Sequence, residues 1–450
     1  MYGYTLSETE RTYRQAIADG DAALSRDNTG AAIEAFSGAI TLKDGSMLGY
    51  LKRGQTYRRR GEFVAAIRDL RRASEIDPAA TRPLEELGDA YLADTPHRYG
   101  AAAERYQEFV RLDNRAPRVL YKLAFARYNE GGHHAQAIDA LQKAIAIDDR
   151  LAEAYYLLGL CQRDAQHLEA ARSALERAIL LQPTLLQARE ELADLFGAMG
   201  RTDQRLTQLK ALTALDPGPS REVTLGLAYA RAGQPERAVL TLGSAAERFP
   251  DHRYAYVALG RVWLEIAQTR GDRVALSKAI EALEGAVGSD DSSEALTLFG
   301  RALLMTSDEE TAERILQNAT ERQPVEPLAF YYLSDAAERL GHFDVARRAL
   351  LDYDVLLGDQ ADARRRGAYA VRLGDFSLKL NEPAAAAAYF LRAADGSDAA
   401  LLARAADAQL RAGDKDTARA TATKALDKDP KNALAMTVLR RAGPAVKPNA

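Results

Sequence analysis

The stretch YLKRGQTYRRRGEFVAAIRDLRRASEIDP, residues 50–78, decides the fold. Tyr50, Gly54 and Tyr57 fall at helical spacing, and Gly61 then interrupts them, where a helix must stop and turn. Ala66, Leu70 and Ala73 resume the same period, and Pro78 closes it. A small residue inside a helix lets a second helix approach closely, and a bulky neighbour fills the groove opposite. The stretch therefore predicts two helices folded back on one another.

The same pattern runs outward in both directions. The small anchor recurs as Gly20, Gly54, Gly88, Ala124, Gly159, Ala193, Gly226, Gly260, Gly300, Ser334, Gly374 and Ala406, mostly in steps of 33 to 36 residues. In most units a second anchor follows twelve residues later, as Ala32, Ala66, Ala171, Ala238, Ala312 or Ala346; one unit has Arg205 there. Four residues after it stands a bulky apolar group such as Phe36, Leu70, Leu175, Leu242 or Phe390. Gly200, Gly233, Gly341 and Gly413 take the place of Gly61, and Pro183, Pro217, Pro250, Pro324 and Pro430 that of Pro78. One such hairpin cannot bury its apolar face alone, so the units must stack.

Composition agrees. A chain of 450 residues is too long for one ordinary core, and 47% hydrophobic with 28% charged content suits a folded protein. A net charge of -4 gives no basic balance that would point to nucleic acid. Cys161 is the only cysteine, which excludes an internal disulfide framework and argues against a thiolate zinc site. No uninterrupted apolar run is long enough to span a bilayer, so no membrane insertion is expected. The first residues carry no signal-peptide pattern: a chain complete as it stands would be cytoplasmic, and one whose signal was trimmed would be periplasmic. Arginine outnumbers lysine, which suggests a GC-rich bacterial genome.

The units resemble the tetratricopeptide repeat family. The clearest match is Tyr50, Gly54, Tyr57, Gly61, Ala66, Leu70, Ala73 and Pro78, followed by Gly226, Tyr229, Gly233, Ala238, Leu242, Ala245 and Pro250. The resemblance implies an all-α, right-handed superhelical solenoid of about twelve tandem helix–turn–helix repeats over residues 13–432. Residues 1–12 are read as an N-terminal segment and the start of the first helix, with Ser7 and Glu10 as a capping box. Residues 433–443 are read as a capping helix with a polar outer side, and 444–450 as a disordered tail. Extra residues lengthen the eighth unit and precede the eleventh, Arg205 challenges close packing in the sixth, and 216–220 and 285–293 are candidate flexure points.

No motif for catalysis, a cofactor or a metal emerges. His97, His133, His134, His167, His252 and His342 fall at turns or between units, and adjacent histidines on a turn rarely aim at one ion. Cys161, beside Gly159, reads as a small buried hydrophobe. The chain is therefore expected to be no enzyme and to need no cofactor.

In the resembled family, first helices line a concave groove that holds peptides or partner helices. The expected function is a protein–protein interaction scaffold or adaptor binding a protein or peptide there. The alternatives are a component of a bacterial envelope or secretion assembly that self-associates or uses its convex face, and, less favoured, an enzyme with a site inside the superhelix. Inward-facing candidates are a basic stripe, Arg14, Lys52, Arg59, Arg82, Arg118 and Lys122, and an aromatic row, Tyr121, Phe125, Tyr156 and Leu160. The stripe would attract acidic side chains or a terminal carboxylate; a solvated face partly neutralised by Asp21, Glu86 and Asp89 is the competing reading. Some family members clamp a chaperone's carboxyl-terminal tail with a Lys–Asn–Asn–Lys–Arg set. Arg118 and Lys122 match its last pair, but Leu51, Gln55 and Glu86 hold the other positions, and Glu86 would repel a carboxylate. Asp335 with Arg339, Asp375 with Lys379, and Asp407 with Arg411 are expected to pair one helical turn apart, at about 0.2–0.5 kcal/mol each.

Overall fold

Alanine and leucine at helical spacing, punctuated by left-handed glycines, produce helices throughout. The computed structural model describes residues 2–287, 292–358 and 363–443. It divides into two compact units, Met1–Asp216 and Pro217–Ala450. The first contains α1 (Tyr2–Ser25), α2 (Thr29–Leu42), α3 (Met47–Arg59), α4 (Phe63–Ile76), α5 (Thr81–Ala93), α6 (Tyr99–Leu112), α7 (Pro117–Glu130), α8 (His134–Ile147), α9 (Ala152–Asp164), α10 (Leu168–Leu181), α11 (Leu186–Ala198) and α12 (Thr202–Leu215). The second contains α13 (Pro219–Arg231), α14 (Pro235–Arg248), α15 (Arg253–Arg270), α16 (Arg273–Val287), α17 (Ser293–Met305), α18 (Glu309–Thr320), α19 (Pro327–Leu340), α20 (Phe343–Leu357), α21 (Ala363–Lys379), α22 (Pro383–Ala394), α23 (Ala399–Arg411), α24 (Lys415–Lys428) and α25 (Ala433–Ala442). Among the described residues these make twelve hairpins and one closing helix, without a strand.

The hairpins with a glycine anchor close on the bulky residue that faces it. A methyl group added at Gly54 would stand 2.7 Å from Leu70 Cγ, at Gly159 2.6 Å from Leu175 Cγ, and at Gly300 2.4 Å from Leu316 Cγ. The facing leucines are fully buried, and each such side chain removed from water contributes about 1.5–3 kcal/mol. The turns at Gly61 and Gly233 have φ of +79° and +69°, where a side chain would be strained. Arg205 does not open the sixth hairpin. Its guanidinium lies over Gly197, 3.3 Å from where a Cβ would be, while Leu206 and Leu209 fill the core.

Three expectations need correction. The first helix begins at Tyr2, so Ser7 and Glu10 lie inside it rather than capping it. Nothing between Tyr2 and Ser7 stops a helix, since the single Gly3 costs only about 1 kcal/mol. Glu10 pairs instead with Arg14 at 2.9 Å and Lys43 at 3.3 Å. The closing helix α25 does bury Ala435, Val438 and Ala442, and Asn432 caps it through a 3.0 Å bond from the Ala435 amide. Its outer side is not wholly polar, however, because Leu434 and Met436 are exposed. The third correction concerns pairing within helices and belongs to the site below. The extra residues of the eighth hairpin lengthen α15 to 18 residues against 13 for α3, α9 and α13. The expected tail 444–450, and residues 288–291 of the stretch 285–293, lie outside the described residues.

Candidate functional site

Successive odd-numbered helices touch one another within the first unit, α3 with α5, α7 with α9 and α9 with α11, whereas no pair of even-numbered helices meets to that extent. The odd helices from α3 onward therefore form the inner, shorter face of that stack; the ten sequence-derived candidates lie on α1, α3, α5, α7 and α9. A cavity of about 220 Å³ opens on this face between the starts of α7 and α9, lined by Arg118, Tyr121, Lys122, Leu151, Glu153 and Ala154. Three of the ten candidates thus share one pocket.

Their roles differ. Arg118 is exposed and finds no partner among the described residues. Lys122 is committed: its ammonium donates to Glu85 at 2.9 Å and to Asp89 at 2.9 Å, across to α5. Burial alone would lower the Lys122 pKa, but the bonds to Asp89 and Glu85 override it and hold the amine above its ordinary value. Lys122 therefore lends the pocket its aliphatic stem and little free charge. Burial pushes the Tyr121 phenol upward, and Glu153 and Tyr156 add to the shift, so it stays a neutral hydroxyl. Phe125 packs against Tyr121 and, edge-on, against Tyr99, each with ring centroids 6.4 Å apart. Leu160 is half-buried against the same core cluster as Tyr121 and Phe125, while Tyr156 packs on the next cluster along.

The rest of the basic stripe is internally neutralised. Lys52 pairs with Asp21 at 2.7 Å, Arg59 with Asp27 at 2.6 Å, and Arg82 with Glu86 at 2.7 Å. Arg14 is solvent-exposed and bonded only along its own helix to Glu10. Charge that is already paired contributes little to attracting a ligand. Glu86 is likewise not a repelling group in the groove. It is 3% exposed, with Gln55 donating to it at 2.8 Å and Arg58 at 2.8 Å. A tail carboxylate would find that place taken by the chain's own.

A feature missed in the sequence is the ladder of side chains joining neighbouring odd helices. Arg58 reaches Glu86, and Arg163 reaches Glu191, from the same positions of their repeats: four residues after one anchor to two before the next. Between α19 and α21 the rung is reversed, with Glu338 in the first position and Arg372 in the second, 2.5 Å apart. Arg372 also holds Asp335 at 2.6 Å, and Arg404 holds Asp375. The expected pairs Asp335–Arg339 and Asp375–Lys379 therefore do not form. Arg339 donates instead to the Leu304 carbonyl at 3.0 Å, and Lys379 lies over the Phe343 ring. Only Asp407–Arg411, at 2.7 Å, pairs as expected. At Asp335 and Asp375 an arginine of the next odd helix takes the carboxylate in place of the base one turn along. The available signal was opposite charges 28 to 37 residues apart on successive odd helices rather than four residues apart.

Cys161 and His167 are engaged within the chain's own packing and hydrogen bonding. Cys161 is fully buried, and burial, helped by Asp164, pushes its thiol up to about 12. His167 bonds Gln162 at 2.8 Å. Among the described residues no group of three or more His, Cys, Asp or Glu side chains is placed to hold a metal, and no helix is long and apolar enough to cross a membrane.

Family models described as tetratricopeptide repeat match residues 118–148, 152–185, 223–294, 297–356 and 400–432, together about half of the chain. The small glutamine-rich tetratricopeptide repeat-containing protein 2 of Mycosarcoma maydis is 36% identical over 99 residues, which are 22% of this chain and 28% of that protein. The match thus spans little more than a quarter of that relative's length. Among solved structures, MamA is 29% identical, with 36% of this chain and 94% of that one covered and a TM-score of 0.35. YrrB, described as a TPR protein with an unusual peptide-binding site, is 19% identical, covering 42% and 96%, with a TM-score of 0.38. The APC/C hetero-tetramer Cut9–Hcn1 is 14% identical, covering 96% of each chain, with a TM-score of 0.36.

Proposed function

The chain belongs to the tetratricopeptide repeat family, and from that premise we propose that it is a non-catalytic scaffold that binds a peptide segment of a partner protein on the inner face of its first unit. The observation that carries this reading is the Tyr121 pocket. A half-buried aromatic floor with apolar walls from Leu151 and Ala154 lies beside Arg118, a cation with no partner among the described residues. Rigid aromatics in small pockets are the usual anchors of binding energy. The pocket suits one apolar or aromatic side chain, and Arg118 suits an acidic neighbour one or two residues along the same peptide.

The test is selection of a random peptide library on the full chain. The enriched peptides should bind Tyr121→Ala at least about tenfold more weakly, the loss typical of a truncated hot spot. Arg118→Glu should weaken those that carry an acidic residue, without loss of stability. Peptides that bind wild type and Tyr121→Ala equally well would remove the pocket from the function.

A further inference from the structure

The outer side of the second hairpin carries a different chemistry. A cavity of about 560 Å³ is lined by Arg53, Arg68, Arg71, Arg72 and Arg98, with Tyr50 and Ile67 in its wall. Between residues 50 and 78 the sequence places eight Lys or Arg against four Asp or Glu, in a chain whose net charge is -4. Arg53 forms the floor: its guanidinium donates to both oxygens of the buried Asp69, at 2.6 and 3.1 Å, and to Ser37 at 3.0 Å. Of the others, Arg68 and Arg72 are lightly engaged, while Arg98 is paired with the buried Asp94. Arg68 is 69% exposed and reaches Asp69 only at 3.4 Å; Arg72 meets Glu75 at 3.3 Å, and Arg98 meets Asp94 at 3.0 Å. Arg71 donates to the neutral Tyr91 hydroxyl at 2.9 Å. Five guanidiniums thus face three carboxylates, one of them, Asp69, already doubly bonded.

We propose that this face binds a multiply charged phosphate anion. Every cation in the cavity is arginine. The planar fork of a guanidinium matches two oxygens of a phosphate, whereas lysine would offer only a point charge. A lone phosphate is far smaller than the cavity, so two or more phosphates held close together fit it better. The neighbouring groove shows that this is no general property of the outer face. It measures about 380 Å³ and carries only Arg127 and Lys143, opposed by Asp139. Linked phosphates of a free polyphosphate and clustered phosphoserines on a partner segment share this chemistry.

The test is calorimetric titration of the full chain with three probes: inorganic tripolyphosphate, a peptide bearing two adjacent phosphoserines, and hexaglutamate. Wild type should show one saturable site for at least one phosphate probe. Arg68→Gln with Arg72→Gln should weaken it by about tenfold or more, since each charge-assisted bond is worth roughly that factor. Arg150→Gln with Arg177→Gln, which removes the same charge elsewhere in the unit, should stay within about twofold of wild type. Arg72→Gln alone, which gives up only an exposed pair with Glu75, provides a second variant whose folding is not at issue. Tighter binding of the phosphopeptide assigns the phosphates to a partner, and tighter binding of tripolyphosphate assigns them to a free anion; both outcomes retain the site. Absence of saturation, equal losses in the two double variants, or hexaglutamate binding as tightly as the phosphates would each overturn the proposal. The Tyr121 pocket is unaltered in all these variants, so this result and the peptide selection stand or fall separately.

Discussion

Two alanine substitutions in one hairpin should move stability in opposite directions. Gly226 and Gly243 both lie inside helices, α13 and α14. A Cβ at Gly226 would stand 2.5 Å from Leu242 Cγ and 2.7 Å from Cδ2, whereas a Cβ at Gly243 would meet nothing within 4 Å. Replacing glycine with alanine in a helix gains up to about 1 kcal/mol from propensity. At Gly243 that gain stands alone. At Gly226 it is opposed by overpacking, about 1–3 kcal/mol, because Leu242 is wholly buried and has no room to withdraw. Gly226→Ala should therefore destabilise by up to about 2 kcal/mol, and the two chemically identical changes should differ by the overpacking cost, about 1–3 kcal/mol. A stacked array unfolds by parts, so the readout is hydrogen exchange of α13 and α14 amides alongside urea unfolding. Adding Leu242→Ala to Gly226→Ala should cost less than Leu242→Ala alone, since the methyl then occupies vacated space. Equal shifts in the two single variants, or additive costs in the double, would refute the close-approach account.

Three further outcomes follow from the same contacts. Arg53→Met should cost about 3–5 kcal/mol in urea unfolding by leaving Asp69 buried without its main partner, and Arg53→Met with Asp69→Leu should recover most of it; a single variant within 1 kcal/mol of wild type would count against this. His342 is held above its ordinary value by its hydrogen bond to Glu313, with the Glu313 charge adding to it. A raised histidine pKa contributes stability that is full below about 6.5 and is lost as pH rises through the higher folded value. Exchange protection at the start of α20 should fall over that window, and the His342 titration seen by NMR should move down in Glu313→Gln. The Cys161 thiol, pushed up to about 12, should be alkylated at pH 8 about a hundredfold or more slowly in the native chain than in denaturant; comparable rates would place it at the surface.

The hairpin frame was legible because it rests on residue size and backbone sign. Gly54 against Leu70, and Gly61 with its positive φ, are local requirements that a sequence must declare. The start of α1 was less so: Ser7 fits a cap by type, but helix propensity carried the chain back to Tyr2. The candidate site was half legible. Arg118, Tyr121 and Lys122 do share a cavity, since three- and four-residue spacings put them on one helix face. Their charge state was not readable, because Lys122 is neutralised from α5, more than thirty residues away. The same limit hid the arginine cavity. Its members come from α3, α4 and the residue preceding α6, and only the packed hairpins bring them to one rim.

The rungs between odd helices also give each hairpin an address. Arg58 of the second hairpin is met by Glu86 of the third, and the corresponding position of the fourth, two residues before its anchor Ala124, is Lys122. Excising the third hairpin would therefore set arginine against lysine where a rung now stands. The reversed rung of Glu338 and Arg372 makes the eleventh hairpin equally poor at following the second. Hairpins that share one architecture are thus not exchangeable parts, and their order along the chain is written in sign as well as in sequence.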